Sequence, residues 1–146
     1  MTSVYRSALV PYAGPVIYAL VADIDRYPEF LPWCSNARID AVEDGAVLAT
    51  IEISFRGIHQ RFTTRNVNTP CEAILVELVE GPFRQLSGRW TFAPLSADSC
   101  KIEFTMSYEF RNALLGRLVG PVFGQIANTM VDAFVRRAAA RAKAAG

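Results

Sequence analysis

The stretch Lys101–Ala138, KIEFTMSYEFRNALLGRLVGPVFGQIANTMVDAFVRRA, changes its hydrophobic period once, around Arg111. Before that residue Ile102, Phe104, Met106, Tyr108 and Phe110 alternate with Lys101, Glu103, Thr105, Ser107 and Glu109, which is the pattern of a strand with one wet face. After it Leu114, Leu115, Leu118, Val119, Val122, Phe123, Ile126, Met130, Val131 and Phe134 recur at helical spacing and form a broad apolar stripe. Asn112 stands where an N-cap belongs, and the pattern predicts one long helix, running to about Lys143 and lying across the sheet. Gly116, Gly120 and Gly124 fall roughly on one face of it, and Pro121 should bend it. Glycine costs about 1 kcal/mol relative to alanine inside a helix, so three on one face point to closely packed neighbours or to a ligand.

Upstream, the period of two recurs. Tyr5 to Val10 is a short strand ended by Pro11, and Gly14-Pro15 opens a helix to about Ala22. In Val47 to Phe55 the odd positions are apolar, and a two-residue turn at Gly57-Ile58 pairs Phe55 with Gln60, Ile53 with Phe62 and Ile51 with Thr64. This turn moves the inward parity from odd to even. Glu72 to Glu80 follows a turn at Thr69-Pro70-Cys71, and Gly81-Pro82-Phe83 leads into a strand with Leu86, Gly88, Trp90 and Phe92 on one face. The connections are short, so the expected sheet is an antiparallel meander. Between helix and meander lies RYPEFLPWCSNARI, Arg26 to Ile39, in which Tyr27 should be extended before Pro28, Pro28 opens a single turn, and Pro32 stops it. Tyr27, Phe30, Leu31 and Trp33 in this structured loop suit the mouth of a cavity between sheet and helix.

With 146 residues, one domain is expected over 1–146. No run of eighteen apolar residues appears and MTSVYRSALVPYAG lacks the pattern of a signal peptide, so a soluble, cytoplasmic protein is expected. Cys34, Cys71 and Cys100 are too widely spaced to indicate a disulfide framework or a metal site. The net charge of +1 is unevenly spread: from Arg111 onward Arg111, Arg117, Arg136, Arg137, Arg141 and Lys143 face a single acid, Asp132. Such an end favours a helix C-terminus and can also touch an anionic membrane or RNA.

Catalytic chemistry is poorly supplied. His59 is the only histidine and sits beside a turn on the wet face, which leaves none for a nucleophile–histidine arrangement. No glycine-rich phosphate loop exists. Asp23, Asp25 and Glu29 cluster before the loop, where caps and solvated charges are usual, and Cys34 has no basic neighbour in sequence. Instead the inward aromatics Phe55, Phe62, Trp90, Phe92, Phe104, Tyr108 and Phe110, gripped by a glycine-bearing helix, leave room for an apolar cavity.

YPEFLPWC at Tyr27–Cys34, Phe55-Arg56, GPFRQLSGRWTF at Gly81–Phe92 and GPVFGQIANTMVDAFVRRA at Gly120–Ala138 resemble the coenzyme Q-binding protein family of the START-like, or helix-grip, superfamily. Its bacterial members include the ribosome association toxin RatA. The resemblance implies an α+β fold, a curved antiparallel sheet around a long C-terminal helix, with short helices after the first strand. It also implies a non-catalytic carrier for ubiquinone or a similar prenyl lipid that supports respiratory electron transport, or alternatively a toxin that binds the large ribosomal subunit and blocks subunit association. In the first reading the ligand lies among Tyr27, Phe30, Leu31, Trp33, Phe62, Trp90, Phe92, Phe104, Tyr108, Phe110, Leu118, Val122, Phe123, Ile126 and Met130. The ring sits near Trp33 and Tyr27, and the basic helix end visits an anionic membrane, which extends the expected location to the periphery of the inner membrane. No catalytic residue, metal or DNA partner is expected.

Overall fold

The structure, a computed structural model, describes residues 1–145. Strand β1 (Thr2–Val10) leads through α1 (Gly14–Ala22) and a 3-10 turn (Ile24–Glu29) to β2 (Cys34–Glu43), β3 (Ala46–Phe55), β4 (Ile58–Thr69), β5 (Ala73–Glu80), β6 (Phe83–Ser96), β7 (Ser99–Phe110) and α2 (Ala113–Ala145). The strands form one antiparallel sheet in the order β1-β7-β6-β5-β4-β3-β2, so only β1 leaves the meander, crossing to the edge beside β7. Ladder irregularities interrupt the pairing in β2, β5 and β6, and bulges of this kind bend a strand and increase its twist. Alternation decides the faces: Ile102, Phe104, Met106 and Tyr108 are buried while Thr105 and Ser107 face outward.

Asn112 caps α2, its Oδ1 accepting from the Leu115 amide at 2.9 Å. The helix includes an 18-residue window of mean hydropathy 1.3, apolar enough for a membrane span by composition, and its core-facing side (Val119, Val122, Phe123, Ile126, Ala127, Val131, Phe134) is buried. The apolar stripe is narrower than expected: Leu114 and Leu118 point away from the sheet and are exposed.

Three local expectations are corrected. The β3–β4 turn is Arg56-Gly57, both with positive φ (51° and 80°), which a type I′ turn needs at its two central positions. Ile51 therefore faces Phe62 and Ile53 faces Gln60, a slip of two residues that leaves every face unchanged. Tyr27 is not extended, because the 3-10 turn begins at Ile24 and carries Pro28 inside it. The end of the expected loop is an edge strand, β2, whose bulges at Cys34/Asn36 and Ile39/Ala41 break the alternation that would have marked it.

The α2 glycines meet aromatic rings. A Cβ on Gly116 or Gly120 would lie 3.8 Å from the Phe110 ring, and one on Gly124 would lie 3.7 Å from the Tyr108 hydroxyl. These are ordinary contacts, so only Gly120 has a second reason, the crowding a proline imposes on the residue before it. Gly116→Ala and Gly124→Ala should each raise stability by about 0.5–1 kcal/mol. Gly120→Ala should not, and urea denaturation of the three variants checks the contrast.

Candidate functional site

Two aromatic clusters pin α2 to the sheet. The Phe123 ring centroid lies 4.9 Å from that of Phe83, 4.8 Å from Tyr108 and 6.1 Å from Phe62, all edge-on. Further along, Phe134 meets Phe30 at 5.3 Å, Tyr27 at 5.4 Å and Trp90 at 5.4 Å. Such pairs add about 0.5–1.5 kcal/mol each beyond the area they bury. Between the pins α2 offers Ile126, Ala127 and Met130, too little volume to fill the concave face.

A cavity of ≈ 60 Å³ remains there. Its walls are Val21, Ile24, Tyr27 and Trp33 from the first third of the chain, Ile51 of β3, and Phe62, Thr64 and Asn66 of β4. Ile74 and Val76 of β5, Trp90 of β6, Phe104 and Met106 of β7, and Phe123, Ile126, Ala127 and Met130 of α2 complete them. The sequence-expected residues Tyr27, Trp33, Phe62, Trp90, Phe104, Phe123, Ile126 and Met130 are thus brought together. Leu31, Phe92, Tyr108 and Val122 are buried in the core beside the cavity without lining it. Phe30 and Phe110 are half-buried in the two aromatic clusters, and Leu118, 56% exposed, is on the far side of the helix. The loop is not a greasy rim: Trp33 is only 7% exposed, because the 3-10 turn folds the segment inward and makes it a wall.

Thr64 and Asn66 escaped the sequence reading although β4 parity already turned even positions inward; two polar residues among inward aromatics were the signal. Val21 and Ile24 gave no signal, since a short helix as apolar as α1 does not announce its cavity side.

The cavity has almost no charge chemistry. Tyr27 donates to the Val21 carbonyl at 2.5 Å, and burial pushes its phenol far above the ordinary value, so it stays neutral. Thr64 donates to Asn66 Oδ1 at 2.9 Å. No carboxylate, histidine, cysteine or cation is among the lining residues. His59 is exposed and bonds Ser54 at 3.1 Å. Burial pushes the Cys34 thiol up to about 11, leaving it unreactive at neutral pH. No group of three or more metal-ligating side chains occurs among the described residues.

The acids before the loop do structural work. Asp23 pairs with Arg26 at 3.1 Å, and Glu29 bonds Arg26 at 3.3 Å and Arg137 of α2 at 2.6 Å. The Arg137 guanidinium also lies 4.8 Å from the centre of the Phe30 ring. This clamp ties the cavity wall to the second pin. Its hydrogen bond from Arg137 holds the Glu29 carboxyl below the usual carboxylate range. A depressed carboxylate contributes stability that is present above its unfolded pKa of about 4.3 and is lost as pH falls through the lower folded value. Arg137→Ala should cost about 1 kcal/mol through the lost ring contact and buried stem, read by urea denaturation at neutral pH. Loss of the Glu29 pair adds to that cost at neutral pH, and this added part should vanish once Glu29 is protonated in the wild type.

The profile of the family described as "Polyketide cyclase / dehydrase and lipid transport" matches residues 10–135. The chain is 45% identical over 138 residues to the "Ribosome association toxin RatA" of Escherichia coli K12, covering 94% of this chain and 87% of that one. It is 29% identical over 137 residues to the "Coenzyme Q-binding protein COQ10 homolog B, mitochondrial" of Xenopus laevis, covering 91% of this chain and 56% of that protein. The crystal structure of the Zhui aromatase/cyclase from a Streptomyces species superposes with a TM-score of 0.83 at 19% identity, over 99% of this chain and 98% of that one.

Proposed function

The chain belongs to the polyketide cyclase / dehydrase and lipid transport family, which is START-like, and from that premise we propose that it is a non-catalytic binding protein for ubiquinone or a similar prenyl lipid. The observation that carries this reading is the cavity wall: apolar throughout except for Thr64 and Asn66, a Tyr27 hydroxyl committed to the Val21 carbonyl and the two tryptophans, with no carboxylate, histidine, cysteine or cation among its residues. Aromatase and cyclase relatives share the fold, but fold alone transfers no chemistry. The name of the Xenopus relative, a coenzyme Q-binding protein, supports the ligand class.

The cavity must open to work. An apolar cavity of about 150 Å³ holds one benzene, and the free space here is ≈ 60 Å³. Met106 and Met130 in the wall are unbranched and yield readily, and Val76 and Met130 are its half-buried members, so entry lies between β5 and the middle of α2. Binding is then driven by apolar burial, about 25 cal/mol per Å². The exposed Arg136, Arg141 and Lys143 suit contact with an anionic membrane from which a prenyl lipid is taken, which supports a cytoplasmic protein that visits the inner membrane.

Both tryptophans of the chain, Trp33 and Trp90, line the cavity, so adding a short-tail ubiquinone should quench nearly all tryptophan fluorescence. Mass spectrometry of an organic extract of the purified protein should find a prenyl quinone in stoichiometric amount. Ala127→Leu, which fills the space, should weaken quinone binding about tenfold or more while the protein stays folded. An empty extract together with unquenched fluorescence removes the ligand reading.

The second reading is favoured by 45% identity to a protein named as a ribosome association toxin: here the partner is the large ribosomal subunit and the effect is a block of subunit association. Its charge support is modest, because Arg137 is engaged with Glu29. Overexpression should shift sucrose-gradient profiles toward free subunits under this reading, and an unchanged profile rejects it.

A further inference from the structure

We propose that Thr64 and Asn66 are the head-recognition site of the cavity and select apolar ligands whose head carries a hydrogen-bond acceptor, a conjugated carbonyl such as that of a quinone. The inference rests on the ligand-binding reading above and adds the residues and the chemistry that choose among prenyl lipids.

Both side chains are more than nine-tenths buried, at 4% and 8% exposure, and both line the cavity. They have no structural reason to be polar. Thr64 lies opposite Ala49 on β3 and Leu78 on β5, and Asn66 lies opposite Val47 and Val76, so no cross-strand neighbour is a polar partner for either. A buried amide in such surroundings is costly unless bonded, and apolar residues of the same shape would serve the core better. The two instead bond each other, Thr64 Oγ1 to Asn66 Oδ1 at 2.9 Å. That bond orients the carboxamide: its oxygen is occupied by Thr64, which leaves the Nδ2 amino group as the donor to the cavity. Tyr27, the other hydroxyl in the wall, is committed to the Val21 carbonyl. Next on the same face of β4, Asn68 buries its Oδ1 with no partner among the described residues, so the strand's inner face turns from aromatic at Phe62 to polar beyond it. A ligand with an apolar body and an acceptor head matches that gradient; a pure hydrocarbon leaves the amide unpaired.

The test compares the wild type with the Thr64→Val/Asn66→Leu double variant, using a short-tail ubiquinone and farnesene, a hydrocarbon of the same isoprenoid chemistry, as probes. Quinone affinity should fall about tenfold or more, and farnesene affinity should stay within about twofold. The ligand-free variant should be at least as stable as the wild type. The infrared carbonyl band of bound quinone should sit lower in the wild type than in the variant, which lacks the Asn66 amide. Unchanged quinone affinity, or an unshifted band, overturns the assignment and leaves the ligand reading standing. A variant that is less stable and loses both probes shows a structural pair and also overturns it. A wild type that binds neither probe fells the ligand reading, and the assignment with it.

Discussion

The contact of Phe123 and Phe134 with the concave face is the interaction on which the other features depend. The two rings are eleven residues apart on α2, about 16 Å along the helix axis at 1.5 Å per residue. Phe123 enters an aromatic cluster drawn from β4, β6 and β7, and Phe134 one drawn from Tyr27, Phe30 and Trp90 of β6, so the largest side chains on the buried side of α2 anchor it at two points. Whatever lies between two fixed points is free to be underfilled. Ala127 and Met130 occupy that interval, and the cavity follows from their size against the span that Trp90, Phe104 and Ile74 leave. The segment after α1 closes the same space from the side, with Tyr27 reaching the second pin and Phe30 held under Arg137.

Much of this was legible in the chain because one face of a sheet and one face of a helix leave strong periodic marks. The alternations in Lys101–Phe110 and Leu86–Phe92 and the parity change between β3 and β4 placed Phe104, Trp90 and Phe62 inward. Where the reading failed, a local exception to periodicity is responsible. Arg56 accepts a positive φ that a non-glycine residue seldom adopts, so the turn sits one residue earlier than glycine alone implies. Strand β2 hides behind two bulges, and the exposed Ile39 and Val42 on an edge strand mimic a loop. Leu118 satisfies the helical spacing yet faces outward, because a stripe of ten residues is wider than the sheet can cover. The cavity itself had no periodic mark, since it is set by what α2 lacks between its pins.

A cavity with a buried amide is a cost to folding. Unfilled apolar volume forfeits contacts, and burying a threonine and an asparagine in an apolar wall costs desolvation that their mutual hydrogen bond offsets only in part. A core selected only for stability would carry valine and leucine at Thr64 and Asn66. Retaining the polar pair while underfilling the adjacent space places both penalties at one site, which is how binding sites differ from ordinary interior packing.

The two pins do not resist opening equally. The Phe134 pin is reinforced by Tyr27, Phe30 and the Glu29–Arg137 clamp, so lifting it breaks ring contacts, an ion pair and the cavity wall together. The Phe123 half of α2 has ring contacts to Phe62, Phe83, Tyr108 and Phe110 but no ion pair among the described residues. Gly116, Gly120 and Gly124 rest on Phe110 and Tyr108 without side chains of their own, and Leu114 and Leu118 have no partner to lose. Pro121 removes one helical hydrogen bond, the one to the Arg117 carbonyl, and so marks a bending point two residues before Phe123. Displacing this half enlarges the space beside Phe62, Phe123 and Asn66 while the clamped half keeps Tyr27, Trp33 and Trp90 in place. On the ligand-binding reading, entry costs least where no ion pair has to break, at the glycine-bearing half of α2, and Pro121 gives that half its bending point.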